Sequence, residues 1–216
     1  MLALFDSGTG GLNTVRYLRQ TKDDGDLIYL IDRNNAPYGI KSEKEILEIT
    51  KNNIDALTAM GAHRVLIACC TASTVHHLLP KKYREVSVPI IDAIANEAKR
   101  LTRVGRVGVI ATRHTVLSGA FRKALGTLLV SELEASALVD MIDAGLCDSV
   151  AEASDEERIE DILRPVLTSG IDTLVLGCTH FPALIRTIGR ISAKYGDISL
   201  VDSARVGADV LRKVKT

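Results

Sequence analysis

The sequence has no excess of either charge: Lys and Arg number 27, and Asp and Glu number 27. A balanced chain gives neither nucleic acid nor an anionic membrane a reason to bind, and neither is expected as a partner. No apolar run approaches the roughly 20 residues that a membrane-spanning helix needs. The N-terminus, MLALFDSGTGG, lacks a basic segment and Asp6 cuts its apolar run, so no secretory signal is read there. Cysteine is scarce, at four residues. That is a poor disulfide framework for a chain this long, and a reducing cytoplasm is the expected location. No Cys-x-x-Cys occurs and no His stands at ligand spacing from the cysteine pair Cys69–Cys70, so no metal site is expected.

What is present is an ordinary globular composition, 46% hydrophobic and 25% charged over 216 residues, long enough to bury a sizeable core. Short apolar runs alternate with helical patterns, the rhythm of an α/β fold with largely parallel sheets. Strands are expected at Leu2–Phe5, Leu27–Ile31, Arg64–Ala68, Val88–Ile91, Val107–Ile110, Thr173–Leu176 and Ser199–Val201.

The two halves echo each other. Gly61 precedes Cys69 by eight residues and Gly170 precedes Cys178 by eight. Capping boxes are expected before each glycine's helix, at Ser42 with Glu45 and at Ser154 with Glu157. The cysteines stand 109 residues apart, and Asp92 and Asp202, both placed at strand ends, stand 110 apart. The expected architecture is therefore two similar lobes, residues 1–94 and 95–203, each a mostly parallel sheet flanked by helices. A C-terminal helix, 204–216, is expected to pack back on the first lobe. Each cysteine then lies at the carboxyl end of a strand, the edge where open α/β sheets bind ligands, and a cleft between the lobes presents two thiols to one another.

A free cysteine is commonly a small buried hydrophobe, and Cys147 is read that way. A Cys69–Cys70 disulfide would be strained, since adjacent Cα atoms lie only about 3.8 Å apart. Cys69 and Cys178 are expected to open helices, where free N–H groups favour a thiolate, and Pro182 suits a first helical turn. Facing thiols have a natural use. Inverting a chiral carbon requires removing its proton on one face and returning one on the other, and a thiol can be tuned for both tasks.

FDSGTGGLN offers a backbone nest for an anion. It also approaches a dinucleotide fingerprint, with Asp32 where a ribose-binding acid would fall, but Asn13 replaces the last glycine and Asp6 would crowd a pyrophosphate, so nucleotide binding is disfavoured. Among the histidines only His180 adjoins a candidate thiol. His63, His76 and His77 are read as surface residues, and His114 is left open with a surface role favoured.

Taken together, these residues resemble glutamate racemases, cofactor-independent amino-acid racemases that use two cysteines. The pattern FDSG-x-GG stands at Phe5–Gly11, PYG-x-[KR]S at Pro37–Ser42, and LGCTH[YF]P at Leu176–Pro182. Ala68–Ser73 matches ACNTAS with one change, and Gly108–Phe121 resembles the segment GV[IL]-x-T-x-x-T-x-x-S-x-x-[YF]. The resemblance implies Cys69 and Cys178 as the acid–base pair, with Asp6 assisting the first and His180 the second. It implies substrate contacts from Asp6, Ser7, Tyr38, Gly39, Cys70, Thr71, Thr179 and His180, with Asp143, Thr112 and Thr115 in support. It further implies glutamate as the small-molecule partner, no cofactor, no metal, and a product, D-glutamate, destined for peptidoglycan. Oligomeric state is left open, with a homodimer as one option.

Two residues depart from the pattern. Cys70 replaces an asparagine, exchanging an amide for one weak donor, and Asp143 stands where a glutamate is usual. The chain is also shorter than most relatives. Aspartate or another amino acid as substrate, or a catalytically weak amino-acid-binding protein, are the alternatives these departures keep open.

Overall fold

The computed structural model describes residues 1–20 and 26–215. Its first sheet is built from β1 (Leu2–Asp6), β2 (Leu27–Ile31), β3 (Arg64–Ile67) and β4 (Ser87–Pro89), in the order β2-β1-β3-β4. The second contains β5 (Val107–Ala111), β6 (Leu129–Glu134), β7 (Thr173–Gly177) and β8 (Ser199–Asp202), in the order β6-β5-β7-β8. Every pairing is parallel. The two halves thus share one topology, and the expected echo is real at the level of strand order.

Helices α1 (Leu12–Gln20), α2 (Glu43–Ala59), α3 (Cys70–Ser73), α4 (Lys81–Val86) and α5 (Ile90–Leu101) accompany the first sheet. Helices α6 (Arg113–Ser118), α7 (Ala120–Leu125), α8 (Ser136–Asp143), α9 (Ala153–Leu167), α10 (Ile185–Ala193) and α11 (Ser203–Lys215) follow. Side chains alternate along the strands with period two. In β1, Ala3 and Phe5 face outward with Val65 and Ile67 of β3 and with Ile54 and Leu57 of α2. Leu4 and Leu66 face the other way, onto a central cluster shared with Ile94 and Ala98 of α5, Ala208 and Leu211 of α11, and Val109 and Val175 of the second sheet. Leu174, Leu176 and Ile110 point outward again, against Ile159 and Leu163 of α9 and Ile188 and Ile191 of α10. The lobes are therefore joined through a common layer in which α5 and α11 pack. Each fully buried Leu or Ile there contributes on the order of 2 kcal/mol. Helix α11 lies against α1 and α5; Thr216, the end of the expected C-terminal helix, lies outside the described residues. Among those residues no helix is long and apolar enough to cross a membrane.

Several local expectations are corrected. β6 is missing from the expected strands because LVSELE places Ser and Glu within the run, as suits a partly exposed edge strand bonded on one side only. The expected strand Val88–Ile91 ends at Pro89, and Ile90 and Ile91 begin α5, buried as a helical face. Asp92 consequently lies in the first turn of α5 and not at a strand end. Register shows why its match to Asp202 is coincidental: Ile67 pairs with Pro89, whereas Leu176 pairs with Asp202.

The Ser42–Glu45 capping box is formed, but the cap of α9 is Glu152 with Asp155, in place of Ser154 with Glu157. Gly61 and Gly170 both adopt positive φ, +91° and +74°, where a side chain would be strained, and each sends the chain from a helix towards the cysteine-bearing strand. Cys147 is not a packing residue. It is half-buried in the turn after α8, with its Sγ 3.1 Å from Ser149 Oγ, outside every core cluster.

Candidate active site

The carboxyl edges of both sheets open onto one cavity of about 510 Å³. From the first lobe come Ser7, Gly8 and Thr9 after β1, the 33–40 loop after β2, and Cys69–Thr71 after β3. The second lobe contributes Thr112 and Arg113 after β5, Glu134, Ser136, Val139, Asp140 and Asp143 after β6, and Cys178–His180 after β7. Matching strand ends, β3 and β7, thus bring the two thiols to one cleft. Of the expected site residues, Ser7, Tyr38, Gly39, Cys69, Cys70, Thr71, Thr112, Asp143, Cys178, Thr179 and His180 line it.

Asp6 does not. It is fully buried behind the cleft wall, where its carboxylate accepts from Gly11 N at 2.8 Å and from the Thr179 hydroxyl at 3.2 and 3.1 Å. The expectation of direct substrate contact from Asp6 is corrected accordingly: β1 carries it one residue short of the surface, and both oxygens are already engaged. Burial raises its pKa above the ordinary carboxylate value, opposed by the nearby His180 charge and the Gly11 and Thr179 donors. Gly10 permits this arrangement, since a Cβ there would sit 2.5 Å from Thr179 Oγ1.

Each cysteine has a partner. Cys69 Sγ lies 3.4 Å from Ser7 Oγ, and Cys178 Sγ lies 3.7 Å from His180 Nδ1. On the far side of that ring, His180 Nε2 is 3.3 Å from Asp143, forming a thiol–imidazole–carboxylate chain. The expected thiolate stabilisation at helix starts is overturned. Cys69 precedes α3, a helix of one turn, and Cys178 is separated from its own short 3-10 turn, Phe181–Leu184, in which Pro182 is the second residue. Burial pushes the Cys69 thiol from 9.0 up to about 11, and the Asp6 charge adds to the shift; Ser7 and the Ala72 N–H oppose it. Burial drives Cys178 further up, with the charges of Cys69 and Asp6, against the His180 N–H. Cys70, also buried, is raised by burial and then by Cys178, Cys69 and Asp6.

Hydroxyl contacts hold the lobes together around the cavity. Thr71 Oγ1 lies 3.0 Å from Thr112 and 3.2 Å from Thr115, which is itself buried behind the wall. His114, expected at the surface, lies half-buried between Thr74 Oγ1 at 3.3 Å and the Lys41 carbonyl at 3.2 Å. His76 is likewise half-buried. Under the 33–40 loop, Asp32 accepts from Tyr38 Oη at 2.6 Å and from Asn35 and Asn53. Burial raises the Asp32 pKa, yet these donors bring it below the ordinary value, and the carboxylate shapes the loop.

Sequence reasoning passed over Thr9, Arg33, Arg113, Glu134, Ser136 and Asp140. Glu134, Ser136 and Asp140 follow the unrecognised β6, and finding that strand would have placed them at a carboxyl edge. Arg113 lies inside a recognised segment but carried no assigned role.

Fold and site define a two-lobed α/β protein with paired thiols in an interlobe cleft. Residues 13–211 match the family model described as Asp/Glu/Hydantoin racemase. The chain is 36% identical over 208 residues to the glutamate racemase of Desulforudis audaxviator, covering 94% of this chain and 74% of that one. It is 35% identical over 219 residues to the glutamate racemase of Mycobacterium leprae, covering 100% and 79%. Among solved structures, glutamate racemase from Francisella tularensis in complex with D-glutamate superposes with a TM-score of 0.83 at 27% identity, covering 99% of this chain and 80% of that one. The Escherichia coli enzyme, in complex with L-glutamate and the activator UDP-MurNAc-Ala, gives 0.74 at 33%, with the same coverages. The chain belongs to the Asp/Glu/hydantoin racemase family, and the relatives named above are glutamate racemases.

Proposed function

We propose that the protein interconverts L- and D-glutamate without a cofactor, Cys69 and Cys178 acting on opposite faces of the substrate Cα, and that it supplies D-glutamate for peptidoglycan. The observation that carries this reading is the delivery of both thiols, from equivalent strand ends of two like sheets, into one cleft. In one direction Cys69, as thiolate, takes the Cα proton while the Cys178 thiol returns one on the other face; in the reverse direction the roles exchange.

Burial favours the protonated form of both thiols. Maintaining Cys69 as a thiolate at neutral pH costs roughly 5 kcal/mol. The substrate's ammonium, placed between the sulfurs, offsets that cost by attraction to the thiolate. His180, beside Cys178 and braced by Asp143, assists proton transfer on that side. Asp6 acts through its charge and through Thr179. Ser7, Thr71, Thr112 and Thr179 supply hydroxyls, and the loop at Tyr38–Gly39 supplies backbone, for the substrate's polar groups.

Aspartate as substrate is the second reading, favoured by Cys70 and Asp143, which alter the donors around a dicarboxylate. The test is racemisation of each enantiomer of glutamate and aspartate, followed by circular dichroism. Faster turnover of glutamate than aspartate supports the first reading, the reverse supports the second, and no turnover of either rejects both.

A further inference from the structure

The loop that brings Pro37, Tyr38, Gly39 and Ile40 to the cavity is anchored to its own lobe at one point. Tyr38 Oη donates to Asp32 at 2.6 Å and accepts from Asn53 Nδ2 at 2.9 Å. Beyond Tyr38 that hold weakens, since Ile40 is 82% exposed. Gly39, between them, rests against the second lobe: a Cβ added to it would stand 3.6 Å from Thr112 Cβ.

His114 supplies a hold from the opposite lobe. It stands on α6, which packs against the Tyr38–Ile40 turn. Its Nδ1 is 3.2 Å from the carbonyl of Lys41, the residue that closes that turn. Among the described residues no other hydrogen bond joins this loop to the second lobe. The ring's Nε2 is 3.3 Å from the hydroxyl of Thr74, which ends α3 of the first lobe.

Counting protons shows which contact carries the hold. Burial lowers the His114 pKa below its ordinary 6.5, opposed by the Lys41 carbonyl and the Glu43 charge, so the ring is neutral at neutral pH. A carbonyl only accepts, which puts the ring's one proton on Nδ1 and leaves Nε2 an acceptor. The Thr74 hydroxyl has one proton and two acceptors in reach, Nε2 and the Thr71 carbonyl, the latter at 2.7 Å. The shorter contact keeps that proton, and the Nδ1–H bond to Lys41 is the ring's main hold.

We propose that His114 is a positioning residue: through Nδ1 it holds the end of the Tyr38–Gly39 loop against the second lobe and so sets how tightly the cleft binds its substrate. The inference rests on the racemase reading above and adds to it a residue outside the cavity lining that acts through the loop.

The test compares the protein with His114→Ala, His114→Asn and His114→Gln. Counted in bonds from Cβ, Asn puts an amide N–H at the Nδ1 position and Gln puts one at the Nε2 position, so Asn keeps the donor to Lys41 and Gln does not. The readouts are kcat and KM for both glutamate enantiomers, and hydrogen exchange of the backbone amides of residues 38–42. The loss of one half-buried hydrogen bond in His114→Ala and His114→Gln is expected to raise KM for both enantiomers roughly three- to tenfold, with kcat within about twofold. Loop exchange should quicken in the same two variants. His114→Asn should return both readouts close to those of the unmodified protein, a rescue that a merely structural role does not produce. An unchanged KM in His114→Gln overturns the inference. So does an equal rise in the Asn and Gln variants, or a fall in kcat at constant KM, the mark of lost folded enzyme. If His114→Ala fails to fold, the comparison of Asn with Gln decides alone.

Should the unmodified protein fail to racemise glutamate, the functional reading fails separately, and hydrogen exchange decides this one. Faster loop exchange in His114→Gln than in His114→Asn supports the hold through Nδ1; equal exchange in the two overturns it.

Discussion

The Thr179 hydroxyl, from the loop after β7, donates to both oxygens of Asp6 at the end of β1, at 3.2 and 3.1 Å. One residue from each lobe thus meets in a buried bond directly behind the cleft, and Asn13 reinforces it by donating to the Thr179 carbonyl at 3.2 Å. A charged acceptor left without its donor in the interior costs about 1–3 kcal/mol. Thr179→Val is therefore expected to lower unfolding stability by that amount and to reduce kcat/KM. Denaturant unfolding checks the first and a racemisation assay the second; a variant unchanged in both would show that this bond does not couple the lobes.

The raised Cys69 thiol sets a pH dependence. Thiolate is the basic form, and with its pKa pushed up to about 11 the reactive fraction grows with pH throughout the neutral and mildly alkaline range. For the enantiomer whose proton Cys69 removes, kcat/KM should rise close to tenfold per pH unit between about pH 7 and about pH 9. A plateau below pH 8 would show that the free enzyme holds Cys69 as a thiolate at neutrality. Stability runs the opposite way. The folded state resists a deprotonation that the unfolded chain undergoes near 9.0, so stability is lost as pH rises from 9.0 towards about 11. Cys69→Ser should lessen that alkaline loss without abolishing it, because the buried thiols of Cys70 and Cys178 are raised as well.

Replacing either Cys69 or Cys178 with Ser should abolish racemisation in both directions, since each direction needs a base on one face and an acid on the other. Loss of HCl from a β-chloro-glutamate needs only the α-proton removed as chloride departs. Each variant should retain this elimination for one enantiomer, and the two variants for opposite ones. Elimination from the same enantiomer by both, or near-native racemisation by either, would refute the two-base assignment.

Cys70 is 2% exposed, and its side chain belongs both to the cleft lining and to the central apolar cluster. Cys70→Asn introduces an amide with two donors and an acceptor at the substrate. Activity on glutamate is expected to rise about tenfold, at a stability cost of about 1–3 kcal/mol when no substrate satisfies the amide. Activity unchanged or lowered would mean that this thiol serves a pocket of different design.

Purified protein should show no chromophore, and its activity should survive dialysis against EDTA, because the proposed chemistry needs only two thiols and their neighbours. Activity lost on dialysis and restored by a metal ion or by pyridoxal phosphate would contradict the cofactor-free reading.

Local sequence determined much of this protein. Continuous apolar runs, buried on both faces, made most strands readable, and a glycine followed eight residues later by a cysteine marked the same helix–strand passage in both halves, because each needs a left-handed turn before a buried strand. The specific motifs around Cys69 and Cys178 identified the thiols themselves. Edge strand β6 escaped because Ser131, Glu132 and Glu134 interrupt the continuous apolar run by which the other strands were read, and with it went Glu134, Ser136 and Asp140. Tertiary structure alone decided the rest. Asp6 and Thr179 are 173 residues apart, and no local pattern encodes that one will cap the other. The direction of the thiol shifts likewise depends on burial between lobes, which outweighs the N–H groups that a strand-to-helix turn supplies.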